Sequence, residues 1–283
     1  MSFRRAALLL ATAWALPAIV TVNAITFPQT VEVDLVFPRN ETYAPSPIFP
    51  VVFAFQNPAL APALDPDFSL NLWVNVEHNT SIYLNSIDLT AVNFTSTTAA
   101  NGTSEPLFVY TYAVNLNTTS NGADPVTRYN LVWAFGAGNC SAQEEGGPIA
   151  LGGGFRSKNV IFSIAQSGGA APDIAGGEVG ECSHLTNMAF NLTDILPVAD
   201  VSKNDGHDTC AVLSDTTPLP VGNPCAATAD AAVAASISAA ATSHVCAAVS
   251  PAISCPSKNS GAALSVHAAS AWAVAALATM ILL

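Results

Sequence analysis

Positive charge is nearly absent from this chain. Eight Lys and Arg stand against twenty Asp and Glu, and charged residues of both signs make up only 10% of the sequence. A surface this poor in cations repels a phosphate backbone, so nucleic-acid binding is excluded. Histidine is almost as scarce. The five histidines, His78, His184, His207, His244 and His267, never pair at i+2 or i+4, and no two cysteines form a C-x-x-C. Those gaps remove the usual zinc arrangements. There is no G-x-S-x-G elbow of a serine hydrolase and no Gly-Lys-Ser/Thr of a phosphate loop. Gly136-Ala137-Gly138 starts like a dinucleotide fingerprint, but Ser141 stands where its third glycine belongs. No catalytic, cofactor-binding or metal-ligating residue is therefore expected, and no cofactor.

Low charge here is not the mark of a disordered chain, because large apolar residues are frequent and alternate with polar ones. Seven N-x-Ser/Thr sites offer another source of solubility: Asn40, Asn79, Asn93, Asn101, Asn117, Asn139 and Asn191. In a secreted protein each is an expected glycan acceptor on the surface. Asn139 is the weakest, with Cys140 as its middle residue.

Both ends read as processing signals. Arg4 and Arg5 precede an apolar run from Ala6 to Val22, and Val22-Asn23-Ala24 suits a signal peptidase. Residues 1–24 are the expected signal peptide, leaving Ile25 as the mature start. A mature terminus of Ile25 rather than His argues against the copper oxygenases that chelate metal at an N-terminal His. At the other end, Val266 to Leu283 carries no charge and follows Lys258-Asn259-Ser260-Gly261-Ala262. Small residues, a short polar spacer and an apolar tail form the pattern of a GPI-anchor signal. A spanning helix wants roughly 20 apolar residues and usually a basic flank, and this tail has neither. Residues 259–283 are the expected removed signal, with Asn259 as the attachment site and Ser260 and Gly261 as alternatives. Without Arg4 and Arg5, six basic residues face all twenty acids.

Six cysteines, Cys140, Cys182, Cys210, Cys225, Cys246 and Cys255, lie in the C-terminal half. An even count in an oxidising compartment predicts three disulfides. Fifteen pairings are open; the simplest joins neighbours, Cys140 to Cys182, Cys210 to Cys225, and Cys246 to Cys255.

From Thr30 the pattern has period two. Val31, Val33, Leu35 and Phe37 alternate with Glu32, Asp34 and Val36, which predicts a strand with its acids in solvent. Ile48 to Phe55 is continuously apolar, as in a strand covered on both faces. Further strands are expected at Leu70 to Val76, Ile82 to Leu89, Leu107 to Leu116, Arg128 to Phe135 and Val160 to Ala165. Late strands are expected near Phe190 and Val212. Turn clusters separate them. The fold class is mainly β, an antiparallel β-sandwich of immunoglobulin-like style over residues 25–215. The glycine-rich stretch from Gly136 to Gly180 reads as flexible loops. Residues 216–258 turn to Ala, Ser and Thr. There Asp230 starts a short helix with Val233, Ile237, Ala240 and His244 at helical spacing, bracketed by Cys225 and Cys246. A short stalk from Ser250 to Lys258 follows.

Few residues invite a chemical role. A glycosidase needs only two carboxylates at the right separation, and Asp65 with Asp67 is the nearest pair, but Pro66 places them in a turn. Asn204-Asp205-Gly206-His207-Asp208 resembles a calcium loop without its closing Glu. Of Trp73 and Trp133, Trp73 falls on the polar phase of its strand, beside Asn71 and Asn75. An outward strand Trp offers a stacking surface to a sugar ring.

Thr30 to Asn40, Thr42-Tyr43-Ala44-Pro45 and Phe49 to Pro58 together resemble the opening of an uncharacterised fungal domain family found in secreted, GPI-anchored proteins. Cys225, the Ala/Ser-rich helix and Cys246…Cys255-Pro256 resemble that family's tail. The resemblance implies a filamentous fungal source and a cell-surface or cell-wall location, and it brings no catalytic residues. The expectation is a non-catalytic GPI-anchored surface glycoprotein, not an enzyme, whose partners are the anchor lipid with the outer membrane leaflet, or cell-wall glucan. Two alternatives stand beside it: a carbohydrate- or surface-binding module using Trp73, and an unrecognised secreted hydrolase.

Overall fold

The computed structural model describes residues 25–255 except 75–79, 83, 85–86, 95–103, 119–124, 144–146, 151–153, 176–184, 199–207 and 215–219. Both terminal signals, the attachment candidates Asn259, Ser260 and Gly261, and the sequons Asn79 and Asn101 lie outside the described residues. So do Cys182 and residues 204–207 of the Asp208 cluster. No helix among the described residues is long and apolar enough to cross a membrane.

Alternating residues generate two antiparallel sheets packed face to face. Strands run β1 (Gln29–Phe37), β2 (Thr42–Tyr43), β3 (Ser46–Gln56), β4 (Asp67–Val74), β5 (Thr80–Ile82) and β6 (Leu107–Leu116). They continue as β7 (Val126–Ala137), β8 (Cys140–Gln143), β9 (Gly147–Ala150), β10 (Gly154–Ala165), β11 (Asn187–Pro197) and β12 (Thr209–Leu213), before helix α1 (Ala231–Ala247). The first sheet has the order β12-β11-β1-β3-β6 and the second β2-β10-β7-β4-β5, while β8 and β9 form a separate hairpin. The fold is the mainly-β sandwich that the alternation predicts, with a short C-terminal helix.

Between the sheets the inward residues are largely aromatic. Phe49 stacks on Phe162 at 5.0 Å, and Tyr43 and Phe37 close around them. Farther along, Phe53 and Phe68 pack on Trp133, which is fully buried. The Trp133 indole Nε1 donates to Thr186 Oγ1 at 3.2 Å, so its one polar atom is satisfied inside the core. Arg156 covers the edge of this core. Its guanidinium sits 4.6 Å from the Phe190 ring centroid and donates to the Ala189 carbonyl.

Three local expectations are corrected. The strand expected over Ile82 to Leu89 is only Thr80–Ile82. Its second half contains Asp88, whose carboxylate accepts from the Thr90 N–H and hydroxyl and starts a single 3-10 turn, Leu89–Ala91. The glycine-rich stretch is not all loop. Gly136 belongs to β7 and Gly154 to β10, paired as Gly154 with Ala137 and Phe155 with Gly136. The Phe155 ring lies over Gly136, where a Cβ would come within 2.9 Å of it. Glycine is there to admit the neighbouring ring. In α1 the apolar stripe is Ile237, Ala241 and Val245, one residue past the expected Ala240 and His244. Asp230 caps the helix as predicted, accepting from Val233 N–H at 2.8 Å.

The disulfides differ from nearest-neighbour pairing. Cys246–Cys255 forms as expected, but Cys140 joins Cys210, with 6.0 Å between Cα atoms, and neither Cys140–Cys182 nor Cys210–Cys225 exists. The reason is topological: β8 follows directly on the second sheet and packs against β12, the edge strand of the first. Cys225 is also disulfide-bonded. Because Cys140–Cys210 spans 70 residues, replacing both by Ser should lower unfolding free energy by about 4 kcal/mol. The same change at Cys246 and Cys255, 9 residues apart, should lower it by about 2.5 kcal/mol. Urea denaturation of the secreted variants reads both.

Candidate functional site

The register of β1 puts Val31, Val33 and Leu35 into the core and turns Glu32 and Asp34 to the outer face of the first sheet. In the sequence those acids read as solvated. Instead Glu32 is only 4% exposed and Asp34 0%. The cause lies far away in the chain. Gly222, Asn223, the 3-10 turn Pro224–Ala227 and helix α1 lie across that face, touching β1, β3 and β6. This also explains the continuous apolarity of β3, which is covered on both sides.

Neutral donors surround the two acids. In register, Glu32 lies between Gln56 and Ala189, and Asp34 between Ala54 and Asn187. Asn187 Nδ2 donates to Glu32 Oε1, and the Asn223 N–H donates to Glu32 Oε2 at 2.7 Å. Gln56 Nε2 donates to Asp34 Oδ2 and to the Asn223 carbonyl, each at 2.9 Å. Among the described residues no donor reaches Asp34 Oδ1. Burial pushes the Asp34 carboxyl up to about 8, the neighbouring Glu32 carboxyl adds to the rise, and Gln56 opposes it. Gly222 fits directly against the pair: a Cβ there would run into Asn187 Nδ2 and Glu32 Oε1.

A second feature lies at the far edge of the same sheet. Tyr112 and Val114 of β6 face His244, Ala247, Ala248 and Ala252 across a shallow cleft of about 440 Å³. The Tyr112 hydroxyl is hydrogen-bonded to His244 Nδ1, and their rings meet edge to face at 5.8 Å. Among the described residues no carboxylate lines this cleft.

The outer face of the second sheet differs. Trp73 is half-buried there, paired with Asn130 of β7, whose amide oxygen accepts from Asn159 of β10 at 3.1 Å. Asn71 shares the face. Asn130 itself is buried, so the exposed amides beside Trp73 are Asn71 and Asn159. Trp133, in contrast, is a core residue.

Asp65, at φ 48° in a turn, and Asp67, the first residue of β4, are both exposed, so they form no enclosed pair. No group of three or more His, Cys, Asp or Glu able to hold a metal occurs among the described residues. Of the described sequons, Asn40, Asn93 and Asn117 are exposed and outside strands, and Asn191 is half-buried in β11. Asn139 is half-buried too, and its Oδ1 accepts from the Leu213 N–H at 2.8 Å beside the Cys140–Cys210 bridge.

Sequence reasoning passed over the Glu32–Asp34 pair. The available signal was the unbroken apolar β3 next to it, which requires a cover on the same face. Gly222→Ala should place a methyl group on the pair and destabilise the fold by about 1–3 kcal/mol. Ala227, fully buried in the same covering segment, is the position at which a Gly substitution provides the comparison in a thermal melt.

No curated protein and no solved structure matches this chain. One family model does, described as "Domain of unknown function (DUF7136)", over residues 26–255, an interval that holds both sheets, the covering segment and helix α1. The chain belongs to that family.

Proposed function

We propose that this protein is a non-catalytic fungal surface glycoprotein, held at the outer leaflet of the plasma membrane by a GPI anchor or passed on to cell-wall glucan. The observation that carries this reading is the position of the sequons: Asn40, Asn93 and Asn117 all stand exposed on loops of a sparsely charged sandwich. Glycans at those loops supply the solubility that charge does not. The terminal signals read from the sequence supply the address. Among the described residues Glu32 and Asp34 are sealed and the cleft at Tyr112 is lined without a carboxylate, so neither offers the two accessible acids of a glycosidase.

A second reading rests on the outer face of the second sheet. Half-buried Trp73 with the exposed Asn71 and Asn159 offers a stacking ring and amide donors without charge, which suits a neutral polysaccharide.

Phosphatidylinositol-specific phospholipase C applied to intact cells should free the protein. If the lipase leaves it in place and glucanase frees it, the wall-linked form is the resident one. Retention after both treatments would overturn the anchor. Asn40→Gln, Asn93→Gln and Asn117→Gln should each remove one glycan's mass in an intact-mass spectrum, whereas Asn139→Gln should leave the mass of attached glycan unchanged. On a glycan array, Trp73→Ala should weaken any neutral-glycan binding about tenfold, equivalent to about 1.4 kcal/mol, with the melting temperature retained.

A further inference from the structure

The Glu32–Asp34 pair does more than fill space. We propose that a single proton shared between Glu32 and Asp34 fastens residues 222–230 onto the first sheet, so that this strap is closed in acid and released in alkali. Two carboxylates bond each other only through a shared proton, because an ionised carboxylate has no donor. Asp34 Oδ1 is a buried atom with no donor among the described residues, and Glu32 and Asp34 are successive outward residues of β1, buried together under the strap, with the Glu32 carboxyl raising that of Asp34. Glu32 is also the group that holds the strap, through the Asn223 N–H, while Gln56 ties Asp34 to the Asn223 carbonyl. The Cys225 disulfide and the buried Ala227 and Ala229 tether the strap as well, so it is the hydrogen-bonded contact of Asn223 with the sheet that runs through the acid pair and Gln56 beside it.

Nothing nearby would neutralise a second negative charge. From β3 the pair meets Gln56, from β11 Asn187, and from the strap Gly222 and Asn223, all uncharged. No Lys, Arg or His acts on Asp34 among the described residues. Arg156 is on the opposite side of β11, held by Ala189 and Phe190. Asp230, the next acid along the chain, is exposed and occupied as the cap of α1. A buried like-charge pair with no cation is strongly unfavourable, and the movable element over it is the strap rather than the strands, which are paired on both sides.

The direction follows from linkage. The native Asp34 carboxyl holds its proton up to about pH 8, against an ordinary value of 3.8. Between those two values the native state binds the extra proton, so stability falls as pH rises through the window. The contribution is complete below about pH 4 and gone above about pH 8.

Hydrogen exchange of the full secreted protein, corrected for intrinsic rates, tests this on the peptide covering residues 220–230. In the wild type its protection should fall at least tenfold between pH 6 and pH 9, while the β3 and β7 amides stay protected. Asp34→Asn puts a permanent donor beside Glu32 and should keep the strap protected at pH 9. Glu32→Gln keeps one oxygen for the Asn223 N–H and, with the Asn187 amide turned to accept from its Nε2, should do the same, which guards against a misfolded first variant. A wild-type strap equally protected at both pH values overturns the proposal, as does a pH response unchanged in both variants. Loss of protection on adding a chelator at pH 6 would also overturn it, by showing a cation where the proton is assigned.

Discussion

The first sheet depends on a cover it does not itself contain. Its strands β1 and β3 bury side chains on both faces, and the outer face is closed by residues 222–247, more than 160 positions away from β3. Removing that cover would expose Val52, Ala54 and two carboxyl groups at once. The second sheet carries on its outward face the exposed Ser69, Asn71, Arg128 and Asn159, the half-buried Trp73 and the buried Asn130. The sandwich is therefore asymmetric: residues 222–247 form a third layer over the first sheet.

This asymmetry organises the rest of the molecule. The Cys140–Cys210 bridge and the Asn139–Leu213 hydrogen bond fix β12, the edge strand of the covered sheet. Arg39, on the loop after β1, donates to the Asp173 and Ile174 carbonyls and holds the segment that follows β10. Asn57, in the left-handed region at φ 54°, donates to the Thr30 carbonyl and ties the turn after β3 back to the start of β1. Polar side chains here act mainly as fasteners to backbone, which suits a chain with few ions to pair.

What could be read in the sequence was whatever depends on near neighbours. Alternation at Val31, Val33 and Leu35 identifies β1 because the two faces of a strand differ every second residue. Asp230 announces α1 because a cap acts within three residues. Trp73 was correctly placed outward by its phase. Failures occur where distant chain decides. Glu32 and Asp34 carry the polar phase of a strand, and only the strap makes that phase an interior. Cys140 sits closer in sequence to Cys182 than to Cys210, yet β8 and β12 meet in space. Gly136 looks like a loop glycine until Phe155 is laid over it.

The small Cys246–Cys255 loop has a mechanical consequence. Any tension arriving through the C-terminal end of the chain crosses from Cys255 to Cys246 through the sulfur bridge, bypassing the eight residues between. It is then delivered to the last turn of α1, beside the Tyr112–His244 contact, and from there to the edge strand β6. The intervening residues, which line the cleft with Ala247, Ala248 and Ala252, carry none of that load. Pulling on this protein would stress the covering layer first and leave the aromatic core between the sheets to the last.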